Sequence, residues 1–365
     1  MPRKLFKEGY ELCDVNIVQS KYSTVEHRKD CDTYIKMCGR KVHPVIVAPM
    51  ASVTDAENYR TWLDNGFICV VPRSVDFEDR LRICTETFCS FSLDEAEKLS
   101  IEKLFSGNEK IYVCIDVAHG TMARLYTVCK NLRRVFESRI EIMTGNVANP
   151  EAYDVYADYG IDYMRLSVGS GSCCVTAANV GIHFPVATLI DEIMQRKAVL
   201  ESNHGKRQTK VIVDGGISNF DDIQKCLALG AFAVMNGSFF AKSEEACGEV
   251  KYFLKEDISD WEKGITHEEY QELQKRCVWY PRKPYREYYG MSTKRAQKQT
   301  VGVSNKTSEG IVRMVEVEYP IAKWADNMKS YIASAMSYTG CYTLDEFREE
   351  AEVIINLSGD KSFRK

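Results

Sequence analysis

Eight short apolar runs, each followed by a polar stretch of helical character, constrain this 365-residue chain more than any other feature. They are Val45–Pro49, Phe67–Val71, Phe88–Phe91, Ile111–Asp116, Ile140–Gly145, Ile161–Val168, Lys210–Asp214 and Ala231–Asn236. Such runs, rich in Val, Ile and Phe and alternating with helical segments, read as parallel strands joined by crossover helices. Eight units of this kind fit a closed TIM (β/α)8 barrel, with a doubly wound open sheet as the alternative. The third run, Phe88-Cys-Ser-Phe91, is the weakest pattern, being short and flanked by polar residues.

A barrel of this length runs as one unit, so residues 1–365 read as a single catalytic domain. Hydrophobic residues make up 45% of the chain, enough for a sizeable core. The net charge of −4 excludes a broad basic surface, so neither a nucleic acid nor a membrane is expected as partner. Any phosphate must be held locally. Fourteen cysteines are scattered without a CxxC pair, which weakens zinc and thioredoxin-like readings. The opening Met1-Pro-Arg-Lys-Leu-Phe lacks the apolar core of a signal peptide, and no run reaches the roughly 18 residues of a membrane span. A reducing cytoplasm is expected, with most cysteines serving as small buried apolar residues.

After the eighth run the pattern changes. Residues 249–287 form a charged, aromatic excursion, read as solvated rather than as a partner-binding element. Within it Thr266 is set to cap a helix whose first turn is acidic. Residues 299–311, rich in Gly, Ser, Thr and Asn, read as a mobile flap. The stretch from Thr343 reads as a terminal helix.

Barrel enzymes carry their chemistry at the C-terminal ends of the strands. Here those ends hold Met50, Arg73, Ser92, Asp116-Val-Ala-His119, Gly145-Asn146, Gly169-Ser-Gly-Ser-Cys-Cys174, Asp214-Gly-Gly216 and Asn236-Gly-Ser238. The last two, on neighbouring strands, read together as a phosphate site, because glycine lets the backbone approach an anion closely. Taken singly, each is an ordinary glycine turn. Asp214 offers acceptors to ribose hydroxyls. The Gly169–Thr176 stretch places a thiol among amide donors that favour the thiolate, with Thr176 near enough in sequence for proton transfer. Spacing alone does not choose between Cys173 and Cys174, nor exclude a buried cysteine pair. Asp116 is either a site carboxylate beside an imidazole or a helix cap.

At this point the chain resembles the IMP dehydrogenase/GMP reductase family along nearly its whole length. The resemblance rests on Asp14-Val-Asn-Ile-Val with Ser23-Thr24, Ala48-Pro-Met50 with Val53-Thr54, and Gly145-Asn146-Val147. It rests most on Gly169-Ser-Gly-Ser-x-Cys174-x-Thr176, Asp214-Gly-Gly216, Tyr289-Gly-Met-Ser292 and Ser308-Glu309-Gly310. It implies Cys174 as nucleophile, with Thr176 and Glu309 as catalytic partners. It implies nucleotide contacts from Met50, Ser172, Asp214, Gly215, Gly216, Gly237, Ser238, Gly290, Met291, Ser292, Lys306, Ser308 and Gly310. Arg28, Arg73, Asp116, Val117, Ala118 and Asn305 fall where the family contacts a nicotinamide cofactor. Backbone carbonyls of Gly169, Gly171 and Cys174 fall where it holds a monovalent cation, K+.

The region after the second strand, Ser74 to Thr87, has no room for the paired regulatory module usual in the family's dehydrogenases. Between Tyr289 and Glu309 there is no Arg-Tyr pair of the kind that activates water in them. The resemblance therefore favours the reductase branch. It implies NADPH-dependent (or NADH-dependent) reductive deamination of GMP to IMP and ammonia through a covalent thioimidate, in a homotetramer. NAD-dependent oxidation of IMP to XMP and a non-catalytic purine-nucleotide-binding barrel are the alternatives. Departures from the family pattern gather at the pocket. Ala177 and Lys306 stand where arginine is usual, Arg73 where lysine is, Ala51 where aspartate is, and His119 where asparagine is.

Overall fold

The computed structural model describes residues 8–101, 105, 107–169, 176–204, 209–276, 282–290, 293 and 310–356. Its centre is an eight-stranded, all-parallel sheet. In chain order the strands are Val45–Val47, Val70–Val71, Phe88–Phe91, Ile111–Asp116, Ile140–Val147, Tyr163–Leu166, Lys210–Asp214 and Ala233–Asn236. Each pairs with its sequence neighbour, and the eighth pairs with the first. The ring closes between the first and second through a parallel bridge from Val47 to Cys69 and the Val47 amide donating to the Ile68 carbonyl at 2.9 Å. The sheet is thus the TIM (β/α)8 barrel expected from the sequence.

Burial explains the near-continuous apolar runs. A strand with barrel interior on one side and helices on the other has no solvent face, so apolar residues need not alternate with polar ones. The first, second, third, sixth and eighth strands are buried at every residue. The third strand, Phe88–Phe91, has the bounds its weak pattern gave. Arg80, on the preceding helix Phe77–Ile83, braces it, donating to the Ser90 carbonyl at 2.6 Å and pairing with Glu95 of the following helix at 2.7 Å.

The excursion after the eighth strand is more ordered than its composition promised. Val250–Phe253, Lys283–Tyr289 and Val312–Glu316 form a three-stranded antiparallel sheet with the second of these at its centre. Thr266 does cap the helix His267–Lys275, in a reciprocal box with Glu269. Arg286, fully buried, donates to the carbonyls of Gly248, Ala241 and Ser243 at 2.7–2.8 Å and fastens this sheet to the turn after the eighth strand.

A 19-residue helix, Ile321–Thr339, begins after Pro320 and stops at Gly340, which takes the left-handed conformation. It buries Ile321, Trp324, Met328, Ile332 and Met336. The helix expected from Thr343 spans Leu344–Glu350, with Thr343 and Glu346 capping it. Beyond it Val353–Ile355 pairs antiparallel with Val15–Ile17. Among the described residues, no helix is long and apolar enough to cross a membrane.

Candidate active site

A cavity of about 340 Å³ opens at the C-terminal ends of the barrel strands. The turns after the seventh and eighth strands form one wall, from Asp214 to Ser218 and from Met235 to Ser238. Gly215 and Gly216 have φ of +93° and +78°, which favour glycine over any residue bearing a Cβ. A Cβ on Gly237 would overlap the Met50 sulfur and approach the Tyr288 hydroxyl. Asn236 ties the two turns together. Its amide donates to the Ile217 carbonyl at 2.9 Å, and its Oδ1 accepts from the Phe239 amide at 2.8 Å and the Ser238 hydroxyl at 3.3 Å. Asp222 accepts from the Ser218 and Asn219 amides and so fixes the exit of the seventh-strand turn.

Arg165 is the electrostatic centre. It is buried, yet its guanidinium donates to Asp116 Oδ1 at 2.8 Å and to Asp214 Oδ2 at 2.6 and 3.1 Å. Asn146 adds a further donor to the same Asp214 oxygen at 2.9 Å. Burial by itself would raise the pKa of Asp116, but Arg165 and Arg73 outweigh it and hold the carboxyl below the usual range. Burial likewise opposes the charge of Arg165, and Asp214, Cys114 and Asp116 together hold it firmly protonated. The Cys114 thiol beside it is pushed up to about 12 by burial and is no nucleophile.

Across the cavity from the glycine turns lie Arg73, Val117 and Ala118. The Arg73 Nε is buried without a hydrogen-bond partner. An orphaned donor on a charged group is costly unless something arrives to accept from it. This corner therefore suits a polar group on an incoming molecule.

The IMP dehydrogenase / GMP reductase domain model matches residues 90–360, well over half of the chain. The chain belongs to this family. Relatives named GMP reductase align over nearly full length. That of Chromobacterium violaceum is 27% identical over 94% of this chain and 98% of its own, and that of Oceanobacillus iheyensis is 26% identical over 97% and 99%. A Staphylococcus aureus protein of the same name is 26% identical over 96% of this chain and 97% of its own.

As a member of the IMP dehydrogenase / GMP reductase family, the chain brings twelve residues named from its sequence to one cavity. These are Met50, Arg73, Asp116, Val117, Ala118, Gly169, Asp214, Gly215, Gly216, Gly237, Ser238 and Gly290. Others stand elsewhere. Arg28 sits in a surface groove, donating to Ser334 at 3.3 Å, and is not part of the cavity lining. His119 is exposed and outside the lining, so no imidazole stands beside Asp116 there. Gly310 is described but is not a lining residue. Gly171, Ser172, Cys173, Cys174, Met291, Ser292, Asn305, Lys306, Ser308, Glu309 and the Thr176 side chain lie outside the described residues, as does nearly all of the expected flap. Of the three carbonyls named for a cation, only that of Gly169 is described.

Arg165 was not among the residues named from the sequence. Its signal was there, as one arginine within the apolar run Ile161–Val168, because a charge inside a buried strand needs partners. Tyr288 was missed because the excursion that delivers it read as solvent-facing.

Proposed function

We propose that this protein is a GMP reductase-like oxidoreductase that reductively deaminates a guanine nucleotide. The observation that carries the reading is the division of the cavity. Glycine turns on the seventh and eighth strands face Arg73 and Asp116 on the second and fourth. Gly169, from which the connection to Cys174 starts in sequence, lines the same cavity. The full-length likeness to relatives named GMP reductase supports the same choice.

In this reading the nucleotide phosphate docks on the turns at Gly215-Gly216 and Gly237-Ser238, where amides and a hydroxyl meet negative charge. Asp214 Oδ1 stays available to a ribose hydroxyl, since the hydrogen bonds from Arg165 and Asn146 all fall on Oδ2. Cys174 attacks C2 of guanine as the thiolate, forming a C–S bond. The exocyclic C–N bond breaks, and Thr176 and Glu309 deliver the proton with which the amine leaves as ammonia. A reduced nicotinamide, NADPH by preference, would supply a hydride to C2 when bound. Arg73, Asp116, Val117 and Ala118 would hold its ring. The C–S bond then breaks with its electron pair returning to sulfur, and IMP is released. Gly169, with Gly171 and Cys174, would offer carbonyls to a monovalent cation.

The test is one coupled assay. The protein is incubated with GMP and NADPH, cofactor absorbance is followed, and ammonia is measured in the same tube. Oxidation with matching ammonia is expected, and Cys174→Ala should abolish it while GMP still binds. Cys173→Ala should change the rate by less than about threefold. Reduction of NAD on adding IMP, with no reaction of GMP, would replace this reading with the dehydrogenase one. Nucleotide binding without either reaction would make the protein a non-catalytic purine-nucleotide binder.

A further inference from the structure

The connection from the sixth strand to the helix Val186–His204 is closed at its neck by two described contacts. Gly169, with φ of +79°, lies so close to Ala177 that a Cβ there would overlap it. His183 reaches back fifteen positions, placing Nδ1 3.1 Å from the Val168 carbonyl. Its other nitrogen, Nε2, lies 2.5 Å from Glu11 Oε1, and Glu11 Oε2 accepts from the Val186 amide at 3.0 Å. A peptide carbonyl can only accept, so Nδ1 donates to Val168, and the Glu11 carboxylate beside Nε2 favours a protonated ring.

Glu11 is itself held in place. The Tyr10 amide donates to the Thr188 hydroxyl at 2.7 Å, and the Thr188 amide donates to the Tyr10 carbonyl at 3.2 Å. Beside the pair lies a smaller cavity, also lined by Cys13 and Asp222, which shares Gly216 and Ser218 with the nucleotide cavity. Burial alone would lower the His183 pKa, but the hydrogen bonds to Glu11 and Val168 overturn this and raise it.

We propose that His183 is a positioning residue, gripped by Glu11, that joins the two ends of the connection 169–182 and so fixes the anchorage of Cys174. The inference rests on the reading that Cys174 carries the reaction. Joining the ends of a connection removes conformations that it would otherwise sample. A small misplacement of a reacting atom is expensive in rate. Its effect therefore falls on kcat rather than on nucleotide binding, which uses the seventh and eighth strand turns.

The test uses His183→Ala, Glu11→Ala, the double variant, Glu11→Gln and His183→Arg in the full chain. Each alanine variant should lower kcat about tenfold with the KM for GMP within about twofold. The double variant should be no worse than the worse single one, because the two residues act as one unit. Arginine at 183 keeps a cation with several donors and should recover the rate to within about threefold of the parent. Deuterium uptake across residues 176–188 should rise in both alanine variants. Additive losses, or unchanged uptake with unchanged kcat, would overturn the proposal. Should His183→Ala not fold, Glu11→Gln decides, since it keeps shape and removes only the charge; full activity and unchanged uptake there would also overturn it. An inactive parent enzyme would refute the reaction reading, and the uptake comparison would still decide the clasp.

Discussion

Arg165 concentrates the physics of the cavity in one side chain. Its guanidinium serves Asp116 on one side and Asp214 on the other, so neither carboxylate is buried alone. Removing one member of such a group leaves charge without compensation and costs about 3 kcal/mol or more. Arg165→Met keeps volume and loses the charge. We expect it to lower unfolding stability by about that amount at pH 7 in a urea titration. The sign of its pH dependence is also fixed. In the parent, Asp116 has a depressed folded pKa, so its contribution is present above the unfolded value and lost as pH falls through the folded one. In the variant the two carboxylates lose the cation they share, only Arg73 still opposes the burial of Asp116, the folded pKa of Asp116 rises, and protonation relieves it. The deficit should therefore shrink as pH falls from 7 to 5. A deficit independent of pH would mean that the arginine acts by packing alone. Arg165→Lys keeps the charge but cannot fork to both carboxylates, and should fall between the two.

At the scale of elements, the three-stranded sheet after the barrel depends on Arg286. Its hydrogen bonds go to main-chain carbonyls, and burial lowers its pKa to about 10 against the opposing pull of Cys247 and Glu245. Arg286→Met would leave the carbonyls of Gly248, Ala241 and Ser243 unsatisfied, at a cost of about 3 kcal/mol. Because the same strand brings Tyr288, and Gly290 just after its end, to the cavity, GMP affinity should fall as well. A melting temperature and a nucleotide Kd measured on one sample check both, and loss of stability with unaltered affinity would separate the sheet from the site. This element also shows where the sequence is opaque. The barrel strands were legible because burial on both faces leaves uninterrupted apolar runs, and Phe88–Phe91, Ile111–Asp116 and Lys210–Asp214 have the bounds read from the chain. Lys283–Tyr289 was not, because its interior position is occupied by an arginine whose partners are carbonyls far away in sequence. The helix Ile321–Thr339 was missed although Pro320 and Gly340 punctuate it and its buried residues recur at helical spacing.

For the molecule as a whole, the candidate site was legible in its glycines and carboxylates, which stand at strand ends, and illegible in Arg165 and Tyr288, which matter only once the barrel closes. Closure also traps His43. It lies between a tilted Tyr34 ring and a stacked Phe67 ring at centroid distances of 4.9 and 4.7 Å, with Nδ1 buried and unpartnered. Burial, with Lys329 adding and Asp326 opposing, lowers its pKa to about 4. The folded chain therefore refuses a proton that the unfolded chain takes at its ordinary pKa of 6.5. Stability falls as pH drops from there towards 4, by about 2 kcal/mol at pH 5. His43→Phe should remove that part of the slope in unfolding titrations at pH 7 and 5; an identical slope would assign acid sensitivity elsewhere. A last consequence follows from the pairing of Val15–Ile17 with Val353–Ile355, reinforced by the Asn356 amide donating to the Asp14 carbonyl at 2.7 Å. On the ribosome, residues 15–17 are made before the barrel and their partners, residues 353–355, after it. Until residues 353–355 emerge, this early strand has an open edge, and a chaperone that binds exposed edges would find it there throughout synthesis of the barrel.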